Sequence, residues 1–177
     1  LAKKAQGCGM RVIYTKRTRL SPTEEARLNV EYRPVEDLFR EADFVVLTPT
    51  LTPDSKGMVG ERLMSLMKPT AILINTSRGA VVDEKALARA LQERRICGAG
   101  LDVFERELPN PDPGPLPELL TLPNVVATPH IGSAAIETRE VVERWQFDIH
   151  VSSAATSTQN AAEGRKGKPD GEIQSEI

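Results

Sequence analysis

The sequence predicts an α/β fold built on a doubly wound parallel sheet. Three observations carry the prediction. Five short β-rich runs recur along the chain, each followed by a segment of helical periodicity. Their starts lie roughly 25 to 35 residues apart, the repeat of a βαβ unit. The runs are almost wholly apolar, as strands covered by helices on both faces must be.

Each element has its own signal. Leu1 to Gly7 reads as the last turns of a helix that ends at a glycine. The first run is Met10 to Thr15. Ser21 then offers an N-cap, Pro22 suits the first helical position and Glu24 completes a capping box. The second run is Asp43 to Thr48, followed by a short helix from Gly60 to Met67 that Lys68 and Pro69 close. The third run is Thr70 to Asn75. Asp83 caps a helix over Glu84 to Arg95, whose apolar stripe is Ala86, Leu87, Ala90 and Leu91. The fourth run is Gly98 to Val103. Residues 105–123 are rich in proline and acid and read as a loop. The fifth run is Asn124 to Thr128, and a last long helix is expected over Ala134 to Phe147.

Composition bounds the function. A chain of 177 residues suits one domain with a tail. From Ser152 onward the only large aliphatics are Ile173 and Ile177, and the polar composition predicts disorder. The expected organisation is therefore a partial nucleotide-binding domain over 1–148 and a disordered tail over 149–177. A net charge of −2 favours neither nucleic acid nor a membrane surface as partner. There is no signal-peptide pattern and no apolar run able to span a bilayer. Cys8 and Cys97 form no CxxC, so a reduced, cytoplasmic setting without a metal site is expected. The opening at Leu1 reads as a cut end or an incomplete gene model.

In a doubly wound sheet, ligands collect beyond the carboxyl ends of the strands. The residues there are Lys16 and Arg17, Pro49 and Thr50, Thr76 to Arg78, Asp102 to Glu107, and Pro129 and His130. Alone, Arg78 reads as a surface charge, Glu107 as a solvated acid and His130 as a structural residue. Their shared place on one sheet edge is what marks them as a site.

The words around them also match one family. Ile74 to Asp83, Gly98 to Glu107 and Leu122 to Ala134 resemble the arginine, glutamate and histidine signatures of the D-isomer-specific 2-hydroxyacid dehydrogenases. The resemblance runs over about residues 1 to 145 and is strongest to glyoxylate and hydroxypyruvate reductases. It implies a Rossmann-like fold and hydride transfer between NAD(P)H and a small 2-keto or 2-hydroxy acid such as glyoxylate or hydroxypyruvate. It implies His130 as the acid that protonates the carbonyl oxygen, a task suited to imidazolium near neutral pH. Glu107 then holds and charges the imidazole, and Arg78 binds the substrate carboxylate. Asp102 would hold the nicotinamide carboxamide, with backbone around Thr50, Thr76 and Gly132 lining the cofactor. The family's glutamate is commonly followed by proline, whereas Leu108 intervenes before Pro109 here. The spacing from Arg78 still selects Glu107 over Glu105.

The first run corresponds to the fold's second strand, whose end selects the cofactor. It continues Lys16, Arg17, Thr18, Arg19, with no acid. Arg17 and Arg19 can pair with a 2′-phosphate that a carboxylate would repel, so NADP is expected in preference to NAD. By the same resemblance the chain lacks the first strand, its glycine-rich loop and the substrate domain. The fragment alone is expected to be poorly stable and inactive, with a homodimer formed by the complete protein. Two other readings stay open: a corepressor-like protein that senses the nucleotide, as the C-terminal-binding-protein corepressors do, and an inactive truncated product that pairs with full-length subunits.

Overall fold

The computed structural model describes residues 1–107 and 116–138. It divides into two units, Leu1–Gly132 and Ser133–Ile177, and the fold below is that of the first. Its apolar runs become strands that lie side by side in the same direction. β3 (Phe44–Leu47), β4 (Ile72–Asn75), β5 (Gly98–Leu101) and β6 (Val125–Ala127) form one sheet in that order. Every neighbour pair is parallel, with Phe44 opposite Ile72, Ile72 opposite Gly98 and Ala99 opposite Val125. β1 (Ile13–Tyr14) and β2 (Glu31–Tyr32) make a separate parallel pair. The orders β2-β1 and β3-β4-β5-β6 follow the doubly wound pattern on either side of its central strand, for which the described residues supply no member. Phe44 on β3 is accordingly exposed.

All five expected runs contain a strand, and each strand is shorter than its run. Apolar composition extends past the point where a ladder partner ends, and only paired residues count as strand. β2 escaped the sequence reading because it is two residues long and begins with a glutamate. It is set between Asn29, in the left-handed region at φ 51°, and Pro34.

The helices show similar corrections. α1 (Ala2–Gly7) ends at Gly7 as expected, with Cys8 as its C-cap, and the left-handed residue that follows is Gly9 at φ 78°. α2 (Pro22–Leu28) carries the expected capping box, with Glu24 N–H donating to Ser21 and Ser21 N–H to Glu24. α3 (Val35–Glu41), started by Pro34 with acids in its first turn, was not foreseen. α4 covers only Glu61–Met64, with Gly60 as its N-cap. A 3-10 turn (Gly79–Val81) precedes α5, which runs Glu84–Gln92 with Asp83 capping Ala86 N–H at 3.0 Å. It stops short of Arg95 because Arg94 turns left-handed at φ 55°. α6 (Pro117–Leu120) lies within the segment read as loop. Ile136 begins a helix within the expected span Ala134 to Phe147; residues 139–147, the boundary at 148 and the tail from 149 lie outside the described residues.

The core lies between the four-stranded sheet and α4, α5 and α6. Leu63, Met64, Leu73, Leu87, Leu91, Ile96 and Leu119 are its largest fully buried side chains. The stripe predicted for α5 is buried throughout, so this face is what fixes the helix to the sheet. Among the described residues no helix is long and apolar enough to cross a membrane. The parallel register leaves the carboxyl ends of β3 to β6 on one rim, and the candidate site stands there.

Candidate active site

β4 ends on Asn75, a buried amide in an otherwise apolar strand. Its Oδ1 accepts from Ser77 N–H at 3.1 Å and from Ser77 Oγ at 2.8 Å, and its Nδ2 donates to the Arg78 carbonyl at 3.0 Å. Three bonds therefore shape the turn that delivers Arg78 to the rim. The Arg78 guanidinium is exposed and folds back onto the Ser77 carbonyl at 2.7 Å. Beyond it, Gly79 passes the next strand's exit so closely that a Cβ would stand 1.8 Å from the Phe104 carbonyl carbon. Only glycine permits that approach.

The exit of β5 carries three carboxylates, Asp102, Glu105 and Glu107. Glu107 folds back so that Oε1 accepts from Phe104 N–H at 2.8 Å. Its Oε2 lies 2.7 Å from His130 Nδ1. An ionised carboxylate only accepts, so Nδ1 is the donor in this contact and Nε2 is left to exchange a proton with another molecule. Both side chains are substantially exposed, at 32% and 44%. Such a pair adds little stability, and its value is orientation. Glu105 is placed differently, its N–H donating to Glu84.

His130 stands in the left-handed region at φ 54°, which is strained for a residue with a Cβ. Its N–H bonds the Thr128 carbonyl at 3.0 Å across Pro129. The strain is held by Asp102, which is buried at the end of β5. Asp102 Oδ1 accepts from Thr128 Oγ1 at 2.5 Å and from Ile131 N–H at 2.9 Å, and Oδ2 accepts from Gly132 N–H at 2.8 Å. A Cβ on Gly132 would come within 2.9 Å of that Oδ2. Burial by itself pushes the Asp102 carboxyl up, but the bonds from Thr128, Ile131 and Gly132, with His130 nearby, outweigh it and hold it below its ordinary value.

The remaining expected residues stand at other strand ends. Thr50 follows β3, and its carbonyl accepts from buried Ser55 Oγ at 2.8 Å, which shapes that loop. Thr76 is exposed after β4. Lys16, Arg17 and Thr18 are exposed after β1. Arg19 is exposed there too, with contacts of its own. Its Nε and one terminal nitrogen grip Glu25 at 2.7 and 2.9 Å, and its guanidinium lies 5.1 Å from the centre of the Tyr32 ring. The Arg19 bonds, then the Tyr14 hydroxyl at 2.7 Å, depress the Glu25 carboxyl to about 2. Arg19 is thus ion-paired with Glu25 while its side chain stays 59% exposed. Asn75, Gly79, Ser55 and Thr128 were missed by sequence reasoning. Of these only Asn75 carries a visible signal, as the polar end of an apolar run.

Residues 1–132 match the NAD binding domain of the D-isomer specific 2-hydroxyacid dehydrogenases. The chain is 51% identical over 142 residues to a glyoxylate reductase of Pyrococcus furiosus, covering 80% of this chain and 40% of that protein. A glyoxylate reductase structure from Paecilomyes thermophila superposes with a TM-score of 0.73 at 34% identity, over 80% of this chain and 41% of that one. An NADPH-dependent glyoxylate/hydroxypyruvate reductase from Sinorhizobium meliloti, in complex with NADP and malonate, does so with a TM-score of 0.69 at 34% identity, over 78% and 40%. The chain belongs to the D-isomer specific 2-hydroxyacid dehydrogenase family, with a Rossmann-like fold. It spans about two fifths of the length of these relatives.

The depressed Asp102 carboxyl gives a prediction with a definite sign. Its ionised form contributes stability above the ordinary aspartate value of about 4, and that contribution is lost as pH falls through the lower folded value. Asp102→Asn is expected to cost about 1–3 kcal/mol at pH 7. In urea unfolding its deficit against wild type should shrink below about pH 4. A deficit that stays constant down to about pH 3 contradicts this.

Proposed function

We propose that this chain carries the proton-handling and cofactor-holding part of an NAD(P)-dependent D-2-hydroxyacid dehydrogenase working as a 2-keto acid reductase, with glyoxylate or hydroxypyruvate as substrate. The observation that carries the reading is the 2.7 Å contact between Glu107 and His130 on the loop that Asp102 anchors. When bound, the reduced nicotinamide supplies the hydride to the carbonyl carbon. His130 Nε2 gives the proton to the carbonyl oxygen, and takes it back in the oxidation direction. Glu107 keeps the ring in place, with its proton on Nδ1. Arg78 releases the Ser77 carbonyl and takes the substrate carboxylate in a charge-assisted contact.

The donor set fits a nicotinamide dinucleotide. Asp102 Oδ2 receives one N–H and so retains a lone pair for a carboxamide donor. At the far end of the rim, NADP is preferred to NAD. Lys16 and Arg17 are exposed and have no ion-pair partner among the described residues. With Arg19 bound to Glu25, Lys16 and Arg17 are the cations that read the 2′-phosphate, with Thr18 beside them. The Sinorhizobium relative, whose structure holds NADP, supports this direction. Residues 1–148 form the nucleotide-binding part and 149–177 a polar tail. The complete protein is a cytoplasmic homodimer, and turnover needs the further segments that the relatives possess.

A graft tests the reading. Residues 1–132 placed at the matching position of the Pyrococcus furiosus enzyme should give a chain that oxidises NADPH with glyoxylate. His130→Ala in that graft should lower kcat by about 10²- to 10⁴-fold; full activity would remove His130 as the acid. For the cofactor, Arg17→Ala should raise the Michaelis constant for NADPH by about tenfold or more, a loss near one charge-assisted contact, and leave that for NADH nearly unchanged. Equal effects on both cofactors refute the phosphate-reading role.

A further inference from the structure

We propose that Glu84 is a positioning residue for the Glu107–His130 pair, acting through the backbone of the loop that carries Glu107. The proposal rests on the reading of that pair as the proton-handling unit. Glu84 is the first residue of α5. An acid at that position ordinarily faces water and complements the positive end of the helix. Here it is half-buried and turned onto the neighbouring strand exit. Its Oε1 accepts from Glu105 N–H at 2.7 Å, and the Leu116 amide is a second backbone partner.

The grip on this exit is divided among three groups. Glu84 holds the Glu105 amide, Glu107 holds the Phe104 amide at 2.8 Å, and Gly79 lies against the Phe104 carbonyl from below. Consecutive amides thus point to different carboxylates. Fixing the Glu105 amide sets the turn by which Glu107 folds back, and that turn aims Oε2 at His130 Nδ1, 2.7 Å away. Gly79 and Glu84 both follow Arg78 closely in the chain, so the segment that leaves Arg78 also sets the Glu107 loop. Burial raises the Glu84 carboxyl above its ordinary value, against the opposing bonds from the Glu105 and Leu116 amides. A carboxylate kept at a place that disfavours its charge is consistent with a geometric duty.

Reach and charge can be separated. Glu84→Asp keeps the charge and the helix-end interaction but retracts the carboxylate by one methylene. Glu84→Gln keeps the reach and an acceptor oxygen but removes the charge. Amide hydrogen exchange of the purified chain reads the result at Phe104, whose N–H is bonded by Glu107 and not by Glu84. The amides of Ile72 and Cys97, bonded to Asp43 and Ala71, serve as references for intact folding. In Glu84→Asp, Phe104 should exchange about tenfold faster relative to those references, and in Glu84→Gln within about twofold of wild type. Unchanged Phe104 protection in Glu84→Asp, or Glu84→Gln matching it in loss, overturns the proposal. The readout uses no turnover, so its failure is distinct from failure of the assignment of His130 as acid.

Discussion

The parallel direction of β3 to β6 is the constraint on which the rest depends. Because each strand enters from the same side, each leaves on the same rim. β4 delivers Arg78, β5 delivers Asp102 and Glu107, and β6 delivers His130. An antiparallel neighbour would send one of these exits to the opposite end of the sheet. Parallel pairing in turn requires the helical crossovers, and those cover the sheet with the apolar faces of α4 and α5. The stability of the unit resides in that buried layer, around Leu63, Met64, Leu87 and Leu91. The rim residues are left free to be exposed, charged and strained.

A rim built from loops needs stiffening, and the same device recurs there. A carboxylate takes main-chain N–H groups that the loop cannot pair with its own carbonyls. Asp102 takes Ile131 and Gly132, Glu107 takes Phe104, and Glu84 takes Glu105. Bonds of this kind are charge-assisted and fix direction as well as distance. Glycines complete the arrangement where backbone and neighbour nearly touch, at Gly79 and Gly132. Together they hold His130 in a conformation that a loop by itself would abandon. Beyond the end of β1, Glu25 and Tyr32 contact Arg19, which distinguishes it from nearby Arg17.

The fold was legible in the sequence where burial repeats. The apolar runs and the stripe Ala86, Leu87, Ala90, Leu91 report a surface covered on both sides, and that information is local. β2 and α3 were not legible: β2 is two residues opening on a glutamate, and α3 has no side-chain N-cap to announce it, unlike the equally short α2 with its capping box. Strand ends were overrun for a related reason: a ladder ends with its partner. In the site, Arg78, Glu107 and His130 were legible because the rim position of each follows from where a strand stops. Beyond the Glu107–His130 contact that the resemblance implied, what held them was not. The partners of Asp102 lie 26 to 30 residues away in sequence. The clamp on Arg19 was not read from the sequence although Glu25 is only six residues on. Two cations beside one another read alike until the turn between them is known.

If Glu107 orients His130, the imidazole's own tautomer records it. Nitrogen-15 shifts of the neutral His130 ring distinguish its two tautomers. The contact at 2.7 Å requires the proton on Nδ1 in the wild-type chain. The Glu107→Ala variant should move it to Nε2, the form that a free imidazole favours. A wild-type ring already protonated on Nε2, or one unaffected by the substitution, contradicts the account.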